Sequence, residues 1–139
     1  MATLLPNQAS YKSFKIVPLV LVVDDDKDNL MFMASFLKIL GVKYLIAERG
    51  QSALDLAMDK KPDLILLDIV MPEIDGIETA RLLKKNSLTN HIPIVAVTGL
   101  TLAKHRAAIK AAGCDGYISK PLFIDELETK IVSYLDFYF

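Results

Sequence analysis

The chain has only one cysteine, Cys114. No internal disulfide can form, and no Cys/His spacing of a metal-binding type is present, which points to a reducing, cytoplasmic setting. Neither sign of charge is in excess: 16 Lys and Arg against 17 Asp and Glu leave a formal charge of -1. That balance offers no electrostatic footprint for nucleic acid and no polybasic patch for a membrane surface. Long apolar runs are missing too. The longest near the amino terminus, Ile16 to Val23, is interrupted by Pro18 and runs directly into Asp24, Asp25 and Asp26. It suits neither a membrane span nor a secretory signal; it reads as a first core strand. The 6 glycines are scattered, without the clustered patterns that cradle phosphates, which disfavours a nucleotide-binding enzyme.

What remains is enough for one domain. A chain of 139 residues buries roughly two-thirds of the surface it exposes when unfolded and needs no covalent staples. Residues 1–15, MATLLPNQASYKSFK, show no sustained periodicity and carry Pro6, Asn7 and two serines, so an extension is expected there, with the domain over 16–139. From residue 19 strand-length apolar runs recur: LVLVV (19–23), VKYLIA (42–47), LILL (64–67), IVAV (94–97) and GYIS (116–119). Helix-length stretches separate and follow them. Leu30, Met33, Leu37 and Leu40 fall at helical spacing in a helix beginning near Asn29, and Gly41 stands where a left-handed cap would end it. The other helices are expected over Ser52–Lys60, Ile77–Lys85, Thr101–Ala112 and from Ile124 to about Tyr138. Strict alternation of β and α predicts a parallel sheet covered on both faces, a doubly wound three-layer α/β fold of (βα)5 type.

In such a fold the functional crevice lies at the carboxyl ends of the strands. Those ends carry Asp24, Asp25 and Asp26 after the first strand, Asp68 after the third, Thr98 after the fourth and Lys120 after the fifth. Asp26 or Asp28 could simply cap the following helix. Capping does not account for Asp24, Asp25 and Asp68 together, because unpaired carboxylates about 4 Å apart repel by roughly 4 kcal/mol per pair at an effective dielectric near 20. A hard divalent cation such as magnesium relieves that repulsion, and carboxylate oxygens without histidine or thiolate suit it. Magnesium implies a phosphate partner. A strand-end carboxylate beside the ion can attack phosphorus, while an ammonium and a hydroxyl take up charge on the phosphoryl oxygens; Asp68, Lys120 and Thr98 fit those roles.

VLVVDDD, LILLDIVMPEIDG, IVAVTG and GYISKP, in that order at strand ends, resemble the receiver domain of two-component response regulators, over residues 19 to about 133. The resemblance implies the flavodoxin-like strand order 2-1-3-4-5. It implies that Asp68 accepts phosphate from a sensor histidine kinase or a histidine phosphotransfer protein, and that Mg2+ is held by Asp24, Asp25, Asp68 and the backbone carbonyl of Val70. Asp25 would ligate directly and Asp24 largely through water. Lys120 matches the phosphate-contacting lysine, with a cis bond to Pro121 common in the family, Thr98 the switch hydroxyl and Tyr117 the aromatic switch. The output it implies is contact with a downstream protein through the fourth helix, fifth strand and fifth helix, by a phosphoacceptor that promotes its own phosphorylation and dephosphorylation rather than by an enzyme with a separate substrate.

Other residues read as ordinary. Lys84, Lys85 and Lys104 are expected to be surface lysines, His91 and His105 have no ligand role, and Cys114 is expected to be a small packed residue. Gly76 is expected to supply a tight loop before its helix. The last predicted helix reaches nearly to the chain end, so a stand-alone regulator is expected, with the receiver portion of a hybrid histidine kinase as the alternative. An aspartyl-phosphate hydrolase is the rival from another class, but such enzymes use a second aspartate where this chain has Val70, which moves no proton. The closing YLDFYF holds four aromatics and suits a homodimer or partner contact.

Overall fold

Each of the five apolar runs forms a strand, and each is followed by a helix. The structure is a computed structural model that describes residues 17–71, 73–100 and 102–135. In chain order the elements are β1 (Leu19–Val23), α1 (Lys27–Leu40), β2 (Lys43–Ala47), α2 (Gly50–Lys60) and β3 (Leu64–Asp68). There follow α3 (Gly76–Lys85), β4 (Ile94–Thr98), α4 (Ala103–Ala111), β5 (Gly116–Ser119) and α5 (Ile124–Leu135). All neighbouring strands are parallel and the order is β2-β1-β3-β4-β5, the flavodoxin-like arrangement.

The side-chain alternation of each strand feeds two separate cores. Val20, Val22, Leu64, Leu66, Val95, Val97 and Ile118 pack under α1 and α5. Leu21, Val23, Ile65, Leu67, Ile94 and Ala96 pack under α2, α3 and α4. β3 and β4 are buried along their whole length, which is why they read as unbroken apolar runs. Full burial of each Leu or Ile is worth about 1.5–3 kcal/mol, so the middle of the sheet dominates stability. No helix of the described residues is long and apolar enough to cross a membrane.

The helix boundaries differ from the sequence expectation in instructive ways. α1 starts at Lys27 because Asp26 is its cap, its carboxylate accepting from the N–H groups of Asp28 and Asn29; Gly41 ends it at φ 78° as expected. α2 begins at Gly50, not Ser52, since a Cβ at Gly50 would lie 2.4 Å from Thr79 Oγ1 and the helix can approach α3 only with glycine there. α4 is shorter than expected, because Leu102 is still extended, at φ -68° and ψ 149°. Gly76 is not a loop residue but the first residue of α3. A Cβ on it would sit 2.3 Å from the backbone oxygen of Asp68 and 2.5 Å from Ile69 Cα, so only glycine lets α3 press against the end of β3. Lys84 is not an ordinary surface lysine either. Its ammonium donates to the carbonyls of Asn90 and Ile92 and to Asp115 Oδ2, at 3.3, 2.8 and 3.1 Å, bracing α3 to the turns that lead into β4 and β5. The expected extension over 1–15 and the closing residues Asp136–Phe139, which hold three of the four aromatics of YLDFYF, lie outside the described residues.

Candidate functional site

The sheet holds the strand-end residues in place through its own backbone ladder. Asp68 is the last residue of β3 and pairs in register with Val97. Thr98 is the last residue of β4, opposite Ser119. Asp24 follows β1 directly and its N–H donates to the Ala47 carbonyl at 3.1 Å, while the Lys120 N–H donates to the Thr98 carbonyl at 2.8 Å. Four neighbouring strands therefore deliver their end groups to one crevice.

Within it, carboxylate oxygens of Asp24, Asp25 and Asp68 lie within 4.8 Å of one another. Asp24 and Asp68 are buried and Asp25 is exposed, a cluster open on one side. Asp24 is further oriented by the Asp26 N–H, which donates to its Oδ1 at 2.9 Å. The donor set is oxygen alone, which fits a hard divalent cation. Asp26 is absent from the set because its side chain is spent on the α1 cap. The Lys120 ammonium donates to Asp68 Oδ1 at 3.3 Å and lies 3.9 Å from Asp24 Oδ2, and the Lys120–Pro121 peptide is cis. Thr98 is buried, its Oγ1 accepting from the Leu100 N–H at 2.9 Å. Tyr117 is half-buried on β5 and packs against the α2–α3–α4 core. Val70 follows Asp68 at two residues' distance and is 61% exposed.

Burial, and next the Asp24 charge, push the Asp68 carboxyl up to about 6, against the pull of Lys120. A carboxyl raised in the folded state opposes folding once it ionises; the cost enters as pH rises past the unfolded value near 4 and is complete above 6. In metal-free buffer Asp68→Asn is therefore expected to be more stable than wild type at pH 7.5, on the order of 1–3 kcal/mol, with the gap closing toward pH 4. Thermal unfolding in chelator at both pH values measures it; a variant less stable than wild type at pH 7.5 contradicts the account.

Some features of the crevice had no sequence signal. A polar pocket beside Asp25 is lined by Glu48, Arg49 and Glu73, with Arg49 and Glu73 paired at 3.6 Å. Glu73 takes φ 62°, a left-handed conformation that nothing in its residue type announces. His91 and His105 contribute no ligand to the carboxylate cluster. Cys114 is buried with its thiol pushed up to about 11 by burial and next by Asp115, as a packed, unreactive residue should be.

Residues 20–132 match the response regulator receiver domain. The polar-differentiation response regulators DivK of Brucella anthropi and Brucella melitensis are each 36% identical to this chain over 116 residues, spanning 84% of it and 94% of their own length. Among solved structures, the chemotaxis protein CheY4 of Vibrio cholerae aligns with a TM-score of 0.82 at 27% identity, covering 86% of this chain and 99% of its own. The receiver domain of the sensor histidine kinase PA1611 of Pseudomonas aeruginosa, which has a magnesium ion coordinated in its active-site cleft, aligns at 0.81 and 26%, covering 86% and 98%. An acidic crevice at the strand ends of a 2-1-3-4-5 sheet, and a match across that whole sheet, place this chain in the response regulator receiver domain family, as a phosphoryl acceptor of two-component signalling.

Proposed function

We propose that Asp68 takes the phosphoryl group from a sensor histidine kinase or a histidine phosphotransfer protein in a Mg2+-dependent reaction. One observation carries the reading: Asp68 is a 4% exposed carboxylate at the tip of a fully buried strand, set between two other carboxylates and an ammonium 3.3 Å away. A carboxylate oxygen of Asp68 bonds to phosphorus as the bond from phosphorus to the donor imidazole nitrogen breaks. The electron pair leaves with that nitrogen, and an acyl phosphate remains on Asp68. Asp25 directly, Asp24 largely through water, Asp68 and the Val70 backbone carbonyl would hold Mg2+. When bound, the ion supplies the positive charge that lets carboxylate and phosphoryl group approach. Lys120 exchanges its bond to Asp68 for one to a phosphoryl oxygen, and Thr98 donates its hydroxyl proton to another. The chain thus promotes its own phosphorylation, with no substrate beyond the phosphodonor. The test is transfer from a phosphohistidine donor, followed by borohydride reduction of the acyl phosphate and peptide mapping. A single reduced residue at position 68 is expected; label on Asp24 or on a serine overturns the assignment.

Output follows from Thr98. Drawing its hydroxyl toward the phosphoryl group shifts the β4–α4 loop and lets Tyr117 turn inward, remodelling the face formed by α4, β5 and α5 for a downstream protein. That face already holds a cleft of about 330 Å³ lined by Arg106, Ile109, Lys110, Cys114, Asp115 and Tyr117, with Gly116. The two arrangements need differ by only a few kcal/mol for the new charge to select one. Amide exchange with and without beryllofluoride is expected to differ over α4 and β5, and identical patterns count against the switch. We take the receiver to span 16–139 with an extension over 1–15, to act in the cytoplasm, and to work as a stand-alone regulator like the DivK proteins that it spans over 94% of their length. Its similarity to the receiver of the sensor histidine kinase PA1611 supports the second reading, a hybrid-kinase receiver.

A further inference from the structure

β2 is an edge of the sheet, and it is an unusual edge. Edge strands are normally blunted by charge, proline or a cover, yet β2 carries charge only at its first residue, Lys43, and exposes Tyr44 at 37% and Ile46 at 46%, beside Met31 of α1 at 70%. Met31 and Ile46 share a cleft with Lys27, Leu30 and Glu48, so the apolar side chains form one strip along the α1 side of the edge. The backbone there is presented for pairing as well. The Lys43 N–H donates to Pro18 O and the Ala47 carbonyl accepts from the Asp24 N–H, so Lys43, Leu45 and Ala47 direct their peptide groups at β1. Alternation turns those of Tyr44 and Ile46 outward. Among the described residues no strand pairs with them.

We propose that this edge is the interface with a second copy of the chain, β2 pairing antiparallel with β2 across a two-fold axis through Leu45. A two-fold normal to the sheet makes the identical strands antiparallel and the contact self-complementary. With Leu45 on the axis, Tyr44 of each copy stands opposite Ile46 of the other. These are the residues whose peptide groups face outward, so both pairs exchange their hydrogen bonds. The same register stacks each Tyr44 ring on the other copy's Ile46, an aromatic–β-branched pair of the favourable kind, and brings the two Met31 residues toward the shared strip. It also sets Glu48, just past the carboxyl end of one strand, beside the amino end of the other, where Lys43 stands. Other registers centred on this strand lose part of this: an axis at Tyr44 or Ile46 leaves one of the two apolar residues facing Val42 or Glu48. The product is a single ten-stranded sheet made from two five-stranded ones, with both acidic crevices and both α4–β5–α5 faces left open.

The full chain tests this directly. Sedimentation of wild type should show a concentration-dependent dimer. Ile46→Lys, at a position exposed enough to keep the fold, should weaken it about a hundredfold by removing two buried isoleucines, with phosphoryl labelling as the check on folding. Under mild oxidation Leu45→Cys should form an intermolecular disulfide, because the axis faces it with itself, whereas Lys43→Cys should not. A wild-type chain that stays monomeric at millimolar concentration overturns the proposal. So does a dimer that tolerates Ile46→Lys, or cross-linking at 43 in place of 45; β2 amides protected in a monomer would assign the edge to another segment of the chain instead.

Discussion

Asp68→Ala should carry no acyl phosphate after incubation with a small phosphodonor and Mg2+, a loss of on the order of a thousandfold or more, because no other carboxylate stands where Asp68 does. Asp24 is nearly as buried but its Oδ1 accepts from the Asp26 N–H, and Asp25 is exposed; each can help hold an ion, and neither meets Lys120 at hydrogen-bonding distance. Chelating the metal should suppress wild-type labelling to a similar background. Lys120→Ala should slow it by roughly a hundredfold to a thousandfold, the usual consequence of removing one positioned donor from a developing anion. Asp26→Ala is the discriminating control. As a cap it should cost about 1 kcal/mol of stability and leave labelling almost unchanged. Intact-mass spectrometry reads all four, and substantial label on Asp68→Ala would move the acceptor elsewhere.

The acyl phosphate, once made, is expected to persist. Its hydrolysis needs a water in line with phosphorus, and the two positions from which side chains could hold one are apolar. Val70 is exposed beside Asp68, and Leu100 packs against the α2–α3–α4 core. Neither offers a hydrogen bond. If one orienting contact lowers the barrier by about 1.4–2.7 kcal/mol, its absence lengthens the lifetime roughly tenfold to a hundredfold. Val70→Asn combined with Leu100→Glu should therefore shed phosphate faster by that factor, and an unchanged or slower rate removes the explanation. A long-lived state in wild type would in turn depend on a partner for its reversal.

Much of this was legible from the chain because buried parallel strands have no polar face. LILL and IVAV could be nothing but interior strands or buried helix, and their length decided between the two. Less visible was where they stop: Asp68 and Thr98 belong to the ladder, since backbone pairing continues past the last apolar residue. The acidic run was ambiguous for a different reason. Asp26 and Asp28 are equally good caps on paper, and only the start of α1 at Lys27 assigns the cap to Asp26, leaving Asp24 and Asp25 for the cluster as the pattern suggested. Glycine was the poorest guide. Gly50 and Gly76 look like loop punctuation, whereas their function is close approach between elements distant in sequence, which no local pattern encodes. The same holds for Lys84, whose three partners lie 6, 8 and 31 residues away.

The position of Asp68 at the end of β3, a strand buried along its whole length, bears on how the protein breathes. Amides of β3 can reach solvent only when both layers of helices lift away, so they should open last, with a free energy close to that of global unfolding. The β4–α4 segment and β5, at the rim of the sheet, can open far more often. On the proposed assignment a phosphoryl group on Asp68 would be anchored to the part of the molecule that opens least, with Thr98 on the equally buried β4 linking it to Tyr117 on the edge strand β5, which opens more readily. Such a division would keep a stored mark intact through the small openings by which it is read.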